Sequence, residues 1–110
     1  YIKVPELMEK LMINYDDWDK YHPIVGASLL HGELVKIHPF IDGNGRISRL
    51  IMNMDLMRSG YVPVIIKKDN RLKYYEALDK AHITGDYTDF VKLVTEAENE
   101  MLDRYLEIIK

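Results

Sequence analysis

Cysteine is absent from the 110 residues, which excludes disulfides and thiolate metal sites and leaves the redox compartment open. Long hydrophobic runs are missing too. No stretch approaches the ~18 apolar residues of a membrane-spanning helix, so no membrane partner is expected. The opening "YIKVPELMEK" does not resemble a secretory signal, and it carries no initiator methionine, so a fragment of a longer chain is expected. There is no basic excess: the net charge is -3, which argues against a nucleic-acid binder. Internal repeats and low-complexity segments are also absent.

What is present suits one globular domain spanning residues 1–110, with 47% of its residues hydrophobic and one core. The charge is distributed unevenly. Residues 1–37 carry four Lys/Arg and six Asp/Glu, residues 38–73 seven and three, and residues 74–110 four and nine. A local positive excess in an acidic chain fits a small anionic ligand better than a broad polyanion surface.

Hydrophobic spacing predicts an all-α fold. Pro5 suits a first helical position, followed by Leu7, Met8, Leu11 and Met12 at helical intervals. "NYDDWDKYH" then reads as a polar connector in which Trp18 is a surface anchor. A second helix is expected from Pro23 to about Lys36. A third follows with Ile47, Leu50, Ile51, Met54 and Met57 facing the core and Gly60 ending it. Met52, Met54 and Met57 are expected to fill the core. "YVPVII" contains Pro63 and reads as an extended connector. Asp69 or Asn70 would cap a fourth helix carrying Leu72, Tyr75, Leu78 and Ala81. Gly85-Asp86 breaks it. Thr88 would cap a last long helix with a stripe of Val91, Val94, Ala97, Met101, Tyr105 and Ile108 or Ile109.

Between the second and third helices lies "HPFIDGNGRISR", His38 to Arg49. Asp-Gly and Asn-Gly are common turn pairs, but the flanking residues ask for more than a turn. A helix that begins just after Asn44-Gly45 points its free N–H groups and positive dipole end into the loop. Glycines there permit close approach, and anions bind such ends readily. Arg46 and Arg49 lie three apart on the first turn, a locally unfavourable pair unless an anion sits between them. Guanidinium forks match phosphate oxygens. Asp42 offers a hard oxygen, and Mg²⁺ needs only one or two carboxylates when phosphates supply the rest. His38 can be neutral near pH ~6.5 and accept a hydroxyl proton. Base, metal ligand, backbone cradle and arginine clamp are what phosphoryl or nucleotidyl transfer requires. The stretch is not a Walker loop, which needs G-x-x-x-x-G-K followed by Ser or Thr.

This stretch resembles the signature of the Fic family, H-x-F-x-D/E-G-N-G-R-x-x-R, at every specified position. The resemblance continues through "LIMNMDLMRSGYVPVII" and "KYYEALDKAHITGD", covering the chain from about Pro5 onward. It implies a compact helical bundle with the active-site loop between two central helices, without the flap and first helices that normally precede this core. It also implies transfer of AMP from ATP to a Ser, Thr or Tyr hydroxyl of a target protein, with release of pyrophosphate. By resemblance, His38 would be the general base and Asp42 would hold Mg²⁺. Gly43, Asn44 and Gly45 would form the anion hole, Arg46 would pair with phosphate oxygens, Arg49 would hold the γ-phosphate, and Phe40 would anchor the loop. Tyr74 and Tyr75 resemble the aromatic pair near the adenine and ribose, although Tyr75 alone fits a core position. His82 stands where related members carry an asparagine that contacts the base.

The inhibitory pattern of many members, S/T-x-x-x-E followed by Gly or Asn, fails at Glu98-Asn99 because Val94 occupies its first position. Glu98 is therefore expected on a solvated face, and any inhibitory helix upstream or on an antitoxin-like partner. His31 is expected to be a packed or capping residue rather than a metal ligand. Related chemistry remains open: transfer of UMP, phosphocholine or phosphate, removal of AMP, or nucleotide binding without turnover. A homo-oligomer is possible, and a cytoplasmic location is expected.

Overall fold

The computed structural model describes residues 4–18, 21–37 and 44–109. Five α-helices run through them: α1 (Val4–Asp17), α2 (Pro23–Ile37), α3 (Asn44–Arg58), α4 (Arg71–Thr84) and α5 (Thr88–Ile109). No strand occurs among the described residues, and the fold is all-α as expected. No described helix is long and apolar enough to cross a membrane.

Helix α1 runs further than its polar carboxyl half suggests. Met8, Leu11, Tyr15 and Trp18 continue one apolar stripe at helical spacing, so the segment taken for a connector stays helical to Asp17. This stripe meets Leu30 and Leu34 of α2, with Tyr15 and Trp18 packed edge to face. Helix α2 starts at Pro23, and its first turn is capped by the His22 ring, whose Nδ1 accepts the Ile24 N–H at 3.2 Å.

The main core gathers Ile24 and Ala27 of α2, Met52 and Leu56 of α3, Tyr74, Ala77 and Leu78 of α4, and Phe90 and Val94 of α5. Three expected faces are rotated. In α3 the buried positions are Ser48, Met52 and Leu56, four apart, while Leu50 (59% accessible), Met54 and Met57 are exposed. In α4 the second tyrosine turns outward: Tyr74 is buried with Ala77, Leu78 and Ala81, whereas Leu72 and Tyr75 face solvent. In α5 the stripe is Phe90, Val94 and Glu98. All three helices carry apolar residues on more than one face, so spacing alone did not select the side that meets its neighbours.

The ends are also specific. Gly60 and Gly85 adopt φ of +88° and +78°, and each N–H returns to the preceding helix, at Met57 and Ala81 respectively. Neither Asp69 nor Asn70 caps α4 by a side-chain bond; a 3-10 turn over Lys68–Asn70 leads into it. Asp86, not Thr88, supplies the cap of α5, its Oδ1 accepting the Thr88 N–H at 2.9 Å.

Residues 61–67 cross the domain in extended form without pairing to a strand. Asn53 takes the strand's place: its amide accepts the Val64 N–H at 2.8 Å and donates to the Val64 carbonyl at 3.1 Å. Glu98 accepts the Val62 N–H at 2.8 Å. Side chains thus satisfy the Val62 N–H and both backbone groups of Val64. Glu98 corrects the expectation of a solvated face, being only 1% accessible. Burial raises its carboxyl above the ordinary value, and the Val62 bond lowers it in part.

Candidate functional site

A cleft of about 450 Å³ opens beside α3. Arg49 and Asn53 line it from α3, Val64, Ile65 and Ile66 from the extended segment, and Arg71, Tyr74 and Tyr75 from α4. Among the described residues, two arginines and no carboxylate face this space, which matches the positive excess of residues 38–73 and favours an anion. A second hollow of similar size lies between α4 and α5, but it mixes Lys73, Lys80 and Lys92 with Glu76, Asp89 and Glu96. There Lys80 is already paired with Asp89 at 3.0 Å. It offers no comparable field.

Asn44 and Gly45 open α3, and their side-chain environment is not described; His38, Phe40, Asp42 and Gly43 lie outside the described residues. Arg46 is exposed on the first turn, and Arg49 follows one turn later, half-buried at the cleft. The Arg49 guanidinium carbon stands 6.0 Å from the centroid of the Tyr74 ring. Tyr75 is 56% accessible, which frees its ring to meet a ligand, and its edge packs against Tyr74 at 5.2 Å. His82 is placed elsewhere. Its Nε2 lies 2.9 Å from the Gly32 carbonyl, and it is not among the residues lining the cleft. Sequence reasoning did not single out Arg71 or Asn53; the local charge excess was a signal for Arg71, whereas Asn53 has none. Among the described residues no three His, Asp or Glu side chains cluster as metal ligands.

Behind the cleft, His31 is fully buried, in keeping with the expected packed residue. Its ring stacks on Phe90 at 5.4 Å, and its Nε2 lies 2.5 Å from the Tyr74 hydroxyl. Burial, only partly offset by the Ser48 backbone and reinforced by the charges of Arg49 and His82, lowers its pKa from 6.5 to about 4. The Tyr74 phenol is raised by burial, with Arg49 opposing. The His31 shift predicts acid lability. Between pH 6.5 and about 4 the unfolded chain binds a proton at His31 that the folded one refuses. Its contribution to stability is therefore complete above pH 6.5 and lost as pH falls to about 4, amounting to about 3 kcal/mol. Denaturant titrations at several pH values should show this fall, and a His31→Gln variant should show a shallower one. Parallel slopes in the two proteins would remove His31 as the cause.

The sequence model of the Fic/DOC family matches residues 1–56, half of the chain. The chain is a member of the Fic/DOC family. Its relatives include a protein adenylyltransferase Fic of Drosophila willistoni, 49% identical over 102 residues, covering 87% of this chain and 20% of that protein. Another, from Nematostella vectensis, is 45% identical over 108 residues and covers 93% of this chain and 25% of its own. This Fic chain thus spans about a fifth to a quarter of the length of the curated relatives it matches. Among solved structures, a Fic-1 fragment from C. elegans superposes with a TM-score of 0.81 at 37% identity, covering 94% of this chain and 32% of that one. A Fic domain protein from Bacteroides thetaiotaomicron superposes with a TM-score of 0.73 at 29% identity, covering 88% and 41%.

Proposed function

We propose that this Fic chain carries the catalytic core of a protein adenylyltransferase, moving AMP from ATP to a hydroxyl of a target protein. One observation carries the proposal: Arg49, from the family signature, lines a cleft that also holds Arg71 and the accessible Tyr75 and that no carboxylate of the described residues lines. Such a cleft suits a polyphosphate with an aromatic base attached. The relatives named above are protein adenylyltransferases, which supports the same choice.

In this proposal the target hydroxyl oxygen attacks the α-phosphorus. A new O–P bond forms, the bond to the oxygen bridging the α- and β-phosphorus breaks, and pyrophosphate leaves. His38 takes the hydroxyl proton at an imidazole nitrogen. Gly43, Asn44 and Gly45 hold the α-phosphate at the amino end of α3. Arg46 neutralises the charge developing on the phosphate oxygens, and Arg49 holds the γ-phosphate. Tyr75 packs against the base. Asp42 lies two residues before α3 begins, and its hard carboxylate oxygen fits a Mg²⁺ ion completed by the nucleotide phosphates. Bound there, the ion would withdraw charge from those phosphates. Control by a helix elsewhere in the protein or on a partner belongs to the same proposal.

Two labelled substrates test it. With Mg²⁺ present, ATP labelled at the α-phosphorus should mark a target protein or the chain itself, and ATP labelled at the γ-phosphorus should not. Transfer of the γ label would make the protein a phosphotransferase. Nucleotide binding with neither label transferred would make it a binding module.

A further inference from the structure

His31 and Tyr74 form a buried polar pair that the proposed chemistry leaves without a role. A leucine and a phenylalanine would fill the same space without desolvating an imidazole and a phenol. The pair belongs to a chain of contacts that takes one residue from each of four helices. Phe90 of α5 stacks on His31 of α2, with ring planes only 7° apart. The Nε2 of His31 meets the Tyr74 hydroxyl of α4 at 2.5 Å. Tyr74 in turn stands beside Arg49 of α3, with the guanidinium 6.0 Å from its ring centroid.

Proton inventory gives this chain a direction. Arginine has only donors, so toward Arg49 the Tyr74 oxygen acts only as an acceptor, and in the His31 tautomer that leaves Nε2 bare the phenol proton goes to His31. The phenol is then held by His31, with its ring beside the guanidinium. A long arginine side chain otherwise has many rotamers, and ordering it before the ligand arrives lowers the cost of binding.

We infer that His31 and Tyr74 are positioning residues for Arg49, holding its guanidinium at the cleft and so setting a preference for nucleoside triphosphates over monophosphates. This inference rests on the proposed placement of the γ-phosphate at Arg49.

Calorimetry with Mg-ATP and with AMP tests it on the wild-type chain and on Tyr74→Phe, His31→Gln, Arg49→Ala and the double variant Arg49→Ala/Tyr74→Phe. Tyr74→Phe should weaken ATP by about 3–10-fold, the size of one hydrogen bond, and leave AMP nearly unchanged. His31→Gln can still accept the phenol proton and should retain more of the preference. The triphosphate-to-monophosphate ratio is read within each variant, so partial loss of folded protein cancels. In the double variant, Tyr74→Phe should add no further loss. Equal weakening of ATP and AMP, or a full additional loss in the Arg49→Ala background, would reduce Tyr74 to a packing residue and overturn the inference. A wild type that binds no nucleotide contradicts the proposed function itself; a wild type that prefers ATP through Arg49 with Tyr74→Phe silent contradicts only the positioning role.

Discussion

His38→Ala should lower the rate of AMP transfer by about 10²–10⁴-fold, the range for removing a general base, while leaving ATP affinity near that of the wild type. The two readouts separate because the proposed base touches the acceptor hydroxyl and not the nucleotide. In the proposed site the phosphates would remain held by the amino end of α3 and by Arg46 and Arg49, so substrate would still accumulate and only the proton transfer would fail. Pre-steady-state labelling at saturating ATP measures the rate, and calorimetry measures the affinity. A variant that transfers AMP at the wild-type rate would remove His38 from the chemistry. One that loses ATP affinity in proportion to rate would make it a binding residue.

Phe90→Ala should cost about 3–5 kcal/mol of folding stability, the usual loss for a buried phenylalanine. That is a large part of the ~5–15 kcal/mol available to a domain. Phe90 is fully buried at the meeting of α2, α4 and α5. Its ring contacts His31, Tyr74 and Tyr87, with centroids 5.4, 5.9 and 6.4 Å away. An alanine leaves a cavity directly behind the His31–Tyr74 pair, and collapse into it would move the imidazole. Urea titration gives the stability change. Phe90→Leu retains most of the volume and should lose much less. A loss below 1 kcal/mol for Phe90→Ala would mean that the helices do not close on this ring.

The helix order was legible in the sequence because its signals are local. Pro23 starts α2, and Gly60 and Gly85 stop helices by adopting positive φ; of the His38–Arg49 stretch, only Asn44–Arg49 falls among the described residues. What resisted reading was tertiary. Tyr15 and Trp18 sit among acidic residues, and their packing on α2, with Asp55 and Arg58 of α3 bonded to the Tyr15 hydroxyl, explains why they extend α1. Leu50 and Met54 are as apolar as Met52, yet α2 covers only one side of α3. Glu98 looks like one more solvated acid until the extended segment brings the Val62 N–H against it. His82 was given to the nucleobase by its sequence position, and nothing local told that the last turn of α4 sets its ring beside the Gly32 carbonyl of α2. Each case depends on a partner distant in sequence, which no local periodicity encodes.

Where the nucleotide binds decides the account. Backbone amide resonances followed during a Mg-ATP titration would locate it. The prediction is that shifts concentrate at the first turns of α3, at residues 64–66, and at Arg71, Tyr74 and Tyr75. Shifts gathered instead along the lysine- and glutamate-lined hollow between α4 and α5, or none at millimolar ATP, would contradict it.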